Sequence, residues 1–311
     1  MNIDPHKVYI IIPVYNRCQT TLRCLKHLKT IAAVNYNIVI VDDNSTDGTA
    51  VAVKQELQSV HLLKGDGNLW WTGGIRMGME YAITHHGDYM IWLNDDALPE
   101  KDSIEDLLAL TSLTQGITGG IGISALDGKV LHGGRRKTRF GLVPLTNRTG
   151  IGVLAGDTVS GNLVCVHRRV VETIGYPDAR TLPMGPGDFD YSLKAKQAHL
   201  PVLIDTNARV ICEDNIAGAN RSLLLSNIPL KTYWQQITRL NSSMHYRTKF
   251  IFYIRHWGKW GFFKYCIDYL WLMMLTLFRV CLPLPLRRVL YHLLFRQGYH
   301  ERQRAEQIYR R

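Results

Sequence analysis

The chain has 311 residues, of which 46% are apolar and 20% are charged, and it carries a formal net charge of +11 at neutral pH. This apolar content excludes a chain that is disordered throughout, and the length supports one large domain or one domain with an appendage. The six cysteines are scattered without a Cys-x-x-Cys pair, which argues against a disulfide framework or a zinc site and favours reduced thiols.

The positive charge is concentrated in the C-terminal third of the chain. Residues 221–311 hold 16 Lys and Arg against 3 Asp and Glu, whereas residues 1–220 hold 21 against 23. The first part is therefore nearly neutral, as expected for an enzyme body, and the last third predicts a basic surface with an anionic partner. We expect a globular domain over 1–220 and a basic, aromatic-rich helical region over 221–311.

Short apolar runs alternate with helical patterns along the first hundred residues. The apolar runs at 8–14, 37–43, 61–64 and 89–94 predict strands, and the helical patterns at 17–31, 45–58 and 73–84 predict the helices between them. This alternation indicates parallel βαβ units. It predicts an α/β fold with a doubly wound, mixed but mainly parallel sheet that carries helices on both faces.

The pattern weakens after position 99. It predicts helices at 104–113 and 188–197 and strands at 119–124, 129–132, 163–167 and 201–211. The segment 133–156 is rich in Gly and Arg without a period, and we expect a loop beside the active site.

Two acidic clusters each follow a predicted strand. Asp42 and Asp43 close the run 37–41, and Asn94–Asp95–Asp96 closes the run 89–93. One such cluster alone would be ordinary turn and helix-cap chemistry. Two of them at the carboxyl ends of parallel strands lie where open α/β sheets bind ligands, and their oxygen atoms suit a divalent cation on nucleotide phosphates.

Three strings together resemble a known family. They are Ile-Ile-Pro-Val-Tyr-Asn-Arg at 11–17, Val-Asp-Asp-Asn-Ser-Thr-Asp-Gly-Thr at 41–49 and Trp-Leu-Asn-Asp-Asp-Ala-Leu-Pro at 92–99. In this order they resemble the family 2 glycosyltransferases of GT-A fold, over roughly residues 8–215. Trp-Trp-Thr-Gly-Gly at 70–74 and Gly-Asp-Phe-Asp-Tyr at 187–191 look like the rhamnosyltransferase-like branch.

This resemblance implies an inverting glycosyltransferase. It would move a sugar from a nucleotide-diphosphate sugar to a saccharide or lipid-linked acceptor in cell-surface polysaccharide synthesis. Asp42 and Asp43 would accept hydrogen bonds from the base or ribose, and Pro13 and Tyr15 would flank the base. One of the two tryptophans at 70–71 is expected in the core and the other against the sugar. The other residues predicted to bind the nucleotide sugar are Trp71, Gly74, Arg76, Asn94, Asp95, Ser160 and Gly161.

The same resemblance implies a metal ligand and a general base. Asp96 would contact Mg²⁺ or Mn²⁺, with Asn94 in the place where the family usually has Asp. Families of this fold often add a late His ligand, but the corresponding region here, 210–215, has no His, so Glu213 or Asp214 is a candidate for a further ligand. Asp188 would take the proton of the acceptor hydroxyl. The alternative is that Asp188 only caps its helix; Gly187 replaces the family's Glu, and Asp190 offers a second carboxylate.

The C-terminal third interleaves basic, aromatic and aliphatic residues. Its apolar run from Tyr269 to Phe278 has only ten positions, too short to span a bilayer. Its composition predicts peripheral attachment to an anionic membrane surface. With a polar N-terminus that lacks an export signal, this favours a cytoplasmic protein on the inner face of the plasma membrane. A helical cap or a homodimer is the alternative.

Other functional classes remain as alternatives at this stage. The basic, aromatic C-terminus also suits a nucleic-acid-binding protein, although long aliphatic residues interleave with its charges, so we expect no nucleic acid partner. A nucleotidyltransferase would need a Gly-rich basic loop after the first strand, which is missing. A catalytically degenerate GT-A protein is a further alternative, because Asn94 and Gly187 replace acidic residues.

Overall fold

The computed structural model of the protein describes residues 3–31, 33–145, 152–212, 223–225, 229–240, 242 and 244–295. The chain divides into two compact units, Met1–Asp214 and Asn215–Arg311. The boundary that the sequence predicted near position 220 lies outside the described residues, so the exact place of the division stays a prediction.

Strands and helices alternate along the first unit. Its strands are β1 (Val8–Val14), β2 (Asn37–Asp42), β3 (His61–Lys64), β4 (Tyr89–Leu93), β5 (Ala97–Pro99), β6 (Ile117–Ser124), β7 (Val130–His132), β8 (Arg135–Thr138), β9 (Gly141–Pro144), β10 (Val153–Ala155), β11 (Leu163–His167) and β12 (Val202–Cys212). Its helices are α1 (Cys18–Thr30), α2 (Thr49–Glu56), α3 (Trp70–Thr84), α4 (Ser103–Thr114), α5 (Arg168–Ile174) and α6 (Gly187–Gln197).

One mixed sheet organises these elements. Its strand order is β10-β12-β6-β11-β4-β1-β2-β3, with β5 paired to β12 and β7 to β6. The neighbours β3, β2, β1 and β4 are parallel, and β12 is parallel to β6, whereas β11 is antiparallel to both β4 and β6. The carboxyl ends of β1, β2 and β4 therefore meet the amino end of β11 at one edge, which is the edge where open α/β sheets bind ligands.

The core lies on both faces of this sheet. Along β1, Ile10 and Ile12 pack with α1, α2 and α4, whereas Tyr9 and Ile11 pack with α3, α5 and α6. Successive side chains of a strand point to opposite faces, so a continuous apolar run becomes a strand that is buried on both sides. The predicted doubly wound α/β sheet with helices on both faces is confirmed.

Several predicted local features differ from the structure. The predicted loop at 133–156 contains the antiparallel pair β8–β9 and the strand β10. Helix α2 begins at Thr49 with Gly48 before it, four residues after the predicted start at position 45. Helix α3 begins at Trp70 rather than Gly73, because the Asp43 carboxylate at the end of β2 accepts a hydrogen bond from the Trp70 N–H.

The described part of the second unit is helical. Its helices are α7 (Leu230–Thr238), α8 (Tyr246–Trp257), α9 (Lys259–Cys281) and α10 (Leu284–Phe295). A small apolar core includes Tyr233, Leu272, Leu275 and Tyr291. Helix α9 has 23 residues and, by length and composition, could cross a membrane. The expectation of an apolar segment too short to span is therefore wrong as to length, since the helix extends well beyond the ten-residue run.

Candidate active site

Two carboxylates at the end of β2 hold the neighbouring loops in place. Asp42 and Asp43 are only 4% and 8% exposed. Asp42 Oδ1 accepts a hydrogen bond from the Ser45 N–H at 2.9 Å. Asp43 accepts one from the Gly67 N–H at 2.8 Å and one from the Trp70 N–H at 3.1 Å, on different oxygens. Asp43 thus orders the segment that leads into α3, while its predicted contact with a base or ribose stays a prediction.

A single arginine joins the acidic pair that follows β4. The Arg17 guanidinium lies 3.2 Å from Asp95 Oδ1 and 3.0 Å from Asp96 Oδ2. Asp95 is buried and also accepts a hydrogen bond from Thr21 Oγ1 at 3.2 Å. Burial raises the pKa of Asp95 to about 6, although Arg17 acts to lower it. The Asp96 side chain keeps 22% of its surface exposed, so Asp96 is the member of the pair that a ligand reaches from solvent.

The Trp71 indole connects α3 to the end of β4. Its Nε1 donates to Asn94 Oδ1 at 2.8 Å, and Asn94 Nδ2 donates to Asn162 Oδ1 at 2.8 Å. An amide accepts and donates at once, whereas an ionised carboxylate only accepts. Asn94, which stands where the family usually has Asp, therefore fits its two partners better than an aspartate would.

The two adjacent tryptophans do not divide into one core and one site residue. Both Trp70 and Trp71 are half-buried, and the fully buried tryptophan is Trp92, whose ring meets Trp71 edge-on with centroids 5.8 Å apart. A Cβ at Gly161 would lie 2.4 Å from Trp71 Cζ2. Only glycine fits against this indole, which explains Gly161 by packing.

Asp188 lies in the first turn of α6 and faces the same loop. Its Oδ2 accepts a hydrogen bond from the Gly161 N–H at 2.9 Å, and its Oδ1 accepts one from the Phe189 N–H at 2.8 Å. Burial raises the pKa of Asp188 to about 6, although both hydrogen bonds and the nearby Arg135 act to lower it. Asp188 thus satisfies one free N–H of the helix start, as the capping alternative required, and combines this with the raised pKa that suits a base near neutral pH.

The residues close to Asp188 in sequence, Gly187 and Asp190, have structural contacts instead. Asp190 is 1% exposed and pairs with Lys194 at 2.8 Å, so the second carboxylate is used structurally. A Cβ at Gly187 would lie 2.2 Å from Thr72 Oγ1. The start of α6 therefore packs too closely against α3 to admit the glutamate that the family carries here.

The loops after β1 and β2 are tied together at the same edge. Asn16 Oδ1 accepts a hydrogen bond from the Thr46 N–H at 2.7 Å. Tyr15, beside it, is 55% exposed, and Pro13 lies within β1. Ser160 is buried and donates to the Gly133 carbonyl at 3.0 Å. The Tyr15 ring is thus exposed to solvent beside the acidic edge. Ser160 instead joins its own loop to the backbone at Gly133.

Two residues that were predicted to bind the nucleotide sugar, Gly74 and Arg76, have other contacts. A Cβ at Gly74 would lie 2.7 Å from Pro13 Cβ, so Gly74 allows α3 to pack closely on β1. Arg76 pairs with Glu80 at 2.8 Å and lies over the Tyr176 ring at 5.8 Å. Gly74 therefore has a packing role. Arg76 contacts Glu80 on α3 and the Tyr176 ring, rather than the acidic clusters.

Part of the chain is similar to known glycosyltransferases. Residues 9–129 match the family model described as glycosyl transferase family 2. Over these residues, about two fifths of the chain, the sequence is similar to that family. An uncharacterized glycosyltransferase of Rickettsia conorii is 33% identical over 107 residues, which is 33% of this chain and 17% of that protein. The amylovoran biosynthesis glycosyltransferase AmsB of Erwinia amylovora is 29% identical over 112 residues, or 34% of this chain and 36% of the relative. The matches thus span well under half of either relative.

Solved glycosyltransferases share the fold. The mannosyltransferase PcManGT of Pyrobaculum calidifontis, solved with GDP-Man and Mn²⁺, superposes with a TM-score of 0.58 at 15% identity, covering 96% of this chain and 84% of that one. GalNAc-T7, solved with UDP, GalNAc and Mn²⁺, gives a TM-score of 0.55 at 17% identity, covering 86% of this chain and 56% of that one. The chain therefore has the GT-A fold that its three strings implied.

The oxygen ligands at this edge of the first unit fit a divalent cation that has few protein ligands. Among the described residues, no three His, Cys, Asp or Glu side chains form a cluster that could hold a metal. The proposed further ligands Glu213 and Asp214 lie outside the described residues. Mg²⁺ commonly binds through one or two carboxylates and completes its shell with substrate phosphates and water. Asp96, with Asp95 beside it, is a donor set of this kind.

Sequence reasoning overlooked two residues of this site. Arg17 ends the first family string but was given no role, because its contact with Asp95 and Asp96 depends on the pairing of β1 with β4. Asn162 was not among the predicted site residues, yet its side chain completes the hydrogen bonding of Asn94. The signal available for both was their position directly beside a strand end.

Proposed function

We propose that this protein is an inverting glycosyltransferase that uses a nucleotide-diphosphate sugar and a divalent metal, with Asp188 as its general base. One observation carries the proposal. The Gly161–Asn162 segment bonds to Asp188 through the Gly161 N–H and to Asn94 through the Asn162 side chain. This segment holds the candidate base and the acidic end of β4 on one short piece of backbone, as a transfer between donor and acceptor requires.

The reaction assigns each group a single task. Asp188 accepts the proton of the acceptor hydroxyl while that oxygen attacks the anomeric carbon from the face opposite the leaving group. The bond between the anomeric carbon and the diphosphate oxygen breaks with its electron pair, so the nucleoside diphosphate leaves and the configuration inverts. A pKa of about 6 keeps Asp188 largely ionised at neutral pH and makes it a stronger base than an ordinary aspartate.

The donor would bind across the strand ends. A divalent cation held by Asp96, when bound, would neutralise charge on the leaving diphosphate. Asp95 would orient the sugar or ribose, and Asp42, Asp43 and Tyr15 would surround the nucleoside. Trp71 offers its half-buried ring to the sugar, and its hydrogen bond to Asn94 fixes the ring's orientation. The two solved structures with nucleotides and Mn²⁺ support this choice of donor and metal.

The finer assignment concerns the sugar and the acceptor. We infer a saccharide or lipid-linked acceptor in cell-surface polysaccharide synthesis, in a rhamnosyltransferase-like branch. The similarity to the amylovoran biosynthesis enzyme supports a polysaccharide product, and the strings at 70–74 and 187–191 support the branch.

Donor binding is the direct test. Thermal shifts of the full chain with UDP-, dTDP- and GDP-sugars, with and without Mn²⁺, should show stabilisation by one nucleotide class that requires the metal. Asp96→Asn should lose the metal-dependent part, while Asp188→Asn should keep donor binding and lose sugar release from the donor.

A surface variant provides the control. Glu172→Gln removes a carboxylate that is 60% exposed and pairs only locally with Arg168, so it should behave as wild type. Absence of a shift with every nucleotide sugar, from a protein that is folded, would refute the donor proposal. Equal donor turnover by wild type and Asp188→Asn would refute the role of the base.

A further inference from the structure

Helix α9 presents an apolar face to solvent. Its exposed large apolar side chains recur at helical spacing through the whole helix, and six of them are about 60% exposed. These side chains are Trp260 (52%), Phe262 (48%), Phe263 (58%), Ile267 (61%), Leu270 (64%), Met273 (60%), Met274 (37%), Leu277 (59%) and Val280 (61%). Phe263 and Leu277 are fourteen residues apart on one stripe, so the apolar face is about 21 Å long. Scattered exposed apolar residues are normal, but a continuous face of this size marks an interaction surface.

Helix α10 continues the same character. Leu286, Val289 and Leu293 follow one another at spacings of three and four residues and are 53%, 56% and 69% exposed. The opposite side of α9 is the packed side, where Leu272 and Leu275 are fully buried in the small core of this unit. The exposed apolar face is therefore distinct from the face that stabilises the helical unit.

The charged groups of this unit are almost all basic. Asp268 is the single acidic residue between positions 221 and 300, and it is paired with Lys249 at 3.1 Å and with Lys264. Lys259 lies at the start of α9, four residues before Phe263 and on the same stripe, and it is exposed. Arg247 and Arg288 are exposed on α8 and α10. A cation at the end of an apolar stripe can reach the headgroup region while the stripe enters the acyl region.

We propose that the exposed face of α9 and α10 docks on the surface of an anionic lipid bilayer, with the helices lying in the interface. Aromatic and aliphatic side chains of this face would insert below the headgroups, and Lys259, Arg247 and Arg288 would pair with anionic headgroups. Interfacial helices of this kind combine a large apolar face with basic flanks, and their affinity depends on anionic lipid.

The positive charge of the helical unit favours an anionic bilayer over a second copy of the chain as the partner of this face. The segment 221–311 has a net charge of +13, so two copies meeting on this face would bring like charges together. An anionic bilayer offers the opposite charge and an apolar interior to the same face. A spanning arrangement fits less well, because Asp268 lies near the middle of α9, where it pairs with Lys264 of the same helix and is bonded to Lys249 and Tyr253 of α8.

Vesicle flotation with the full chain tests this docking. The protein should float with vesicles of phosphatidylcholine and phosphatidylglycerol, and weakly or not at all with phosphatidylcholine alone. Leu270→Glu with Leu277→Glu should abolish flotation. Lys259→Gln with Arg288→Gln should reduce it by about fivefold for each charge removed. Quenching by brominated lipid should fall in Trp260→Phe, which reports insertion without a disruptive change.

A matched pair on the first unit controls for added charge. Leu113→Glu with Leu126→Glu replaces two leucines that are 70% and 75% exposed, and it should leave flotation unchanged. Circular dichroism confirms that each variant is folded. Three results would overturn the proposal: failure of wild type to float with anionic vesicles, a dimer that the Leu270/Leu277 variant dissociates while flotation persists, or membrane-bound protein that resists alkaline extraction, which would show a spanning helix.

Discussion

The guanidinium of Arg17 lies between the carboxylates of Asp95 and Asp96, 3.0 Å from Asp96 Oδ2. One side chain from the loop after β1 thus balances two negative charges at the end of β4. A divalent cation bound at Asp96, as proposed, would compete with this guanidinium for the same carboxylate. Arg17 would then limit metal binding in the absence of donor, and its release on donor binding would free a cation near the diphosphate.

Arg17→Gln should strengthen the binding of Mn²⁺ alone by about threefold to tenfold, because a competing positive charge is removed from the carboxylates. It should also lower the free energy of unfolding by about 1 kcal/mol, since buried Asp95 loses a partner that is itself partly exposed. Mn²⁺ titration by electron paramagnetic resonance and urea denaturation measure the two effects. Arg23→Gln, on the exposed side of α1, is the matched control; unchanged Mn²⁺ affinity in Arg17→Gln would contradict the competition.

If Asp188 is the general base, the pH profile of kcat should have a single acidic limb. Its carboxylate must be ionised to accept a proton, and the ionised fraction falls as the pH drops through about 6. We expect the logarithm of kcat to rise with unit slope below that pH and to level above it. Asp188→Asn should lower kcat by about a hundredfold to ten-thousandfold and remove this limb. A variant that keeps the same pH profile would show that another group titrates.

Gly161 and Trp71 should be energetically coupled. Gly161→Ala places a methyl group against the Trp71 indole and should cost about 1–3 kcal/mol of stability, with weaker donor binding. Trp71→Phe removes part of that ring and should make the alanine better tolerated. A double-mutant cycle should therefore show a coupling of about 0.5–3 kcal/mol. Additive losses would mean that the backbone moves aside and that the indole does not fix this loop.

Asp268 should stabilise the helical unit in a pH-dependent way. Although burial acts to raise it, Lys249 and Lys264 hold the pKa of Asp268 below its ordinary value. Its contribution to stability is therefore present above the pKa of an unfolded aspartate and is lost as the pH falls through the lower native pKa. Asp268→Asn should leave the largely buried Lys249 unpaired and cost about 2 kcal/mol near neutral pH.

The difference between Asp268→Asn and wild type should shrink as the pH falls through the lowered native pKa of Asp268, because both side chains are neutral below it. Helical circular dichroism during urea unfolding measures it at each pH. Asp127→Asn is a suitable control, because its partner Lys129 lies next to it on the surface of the first unit. A constant difference at every pH would show that the substitution acts through packing rather than charge.

The sequence by itself determined the α/β fold and the edge that carries the site. Continuous apolar runs such as 8–14 can be stable only as strands buried on both faces, and the acidic residues that follow them must then collect at one sheet edge. These are local properties, visible in spacing and composition. They were sufficient to predict the doubly wound sheet and the acidic clusters at its edge, whereas the role of Asp188 was implied only by the resemblance to a known family.

Only the tertiary structure decided how individual residues divide between packing and chemistry. Gly74, Gly161 and Gly187 look like flexible positions in the sequence, yet each is fixed by a neighbour from another element that leaves no room for a Cβ. In the sequence, Asn94 looks like a weakened metal motif. In the structure, its amide accepts a hydrogen bond from Trp71 and donates one to Asn162. Arg17 meets Asp95 and Asp96 across seventy-eight or more positions of chain. Contacts of this range depend on which strands become neighbours, which no local pattern encodes.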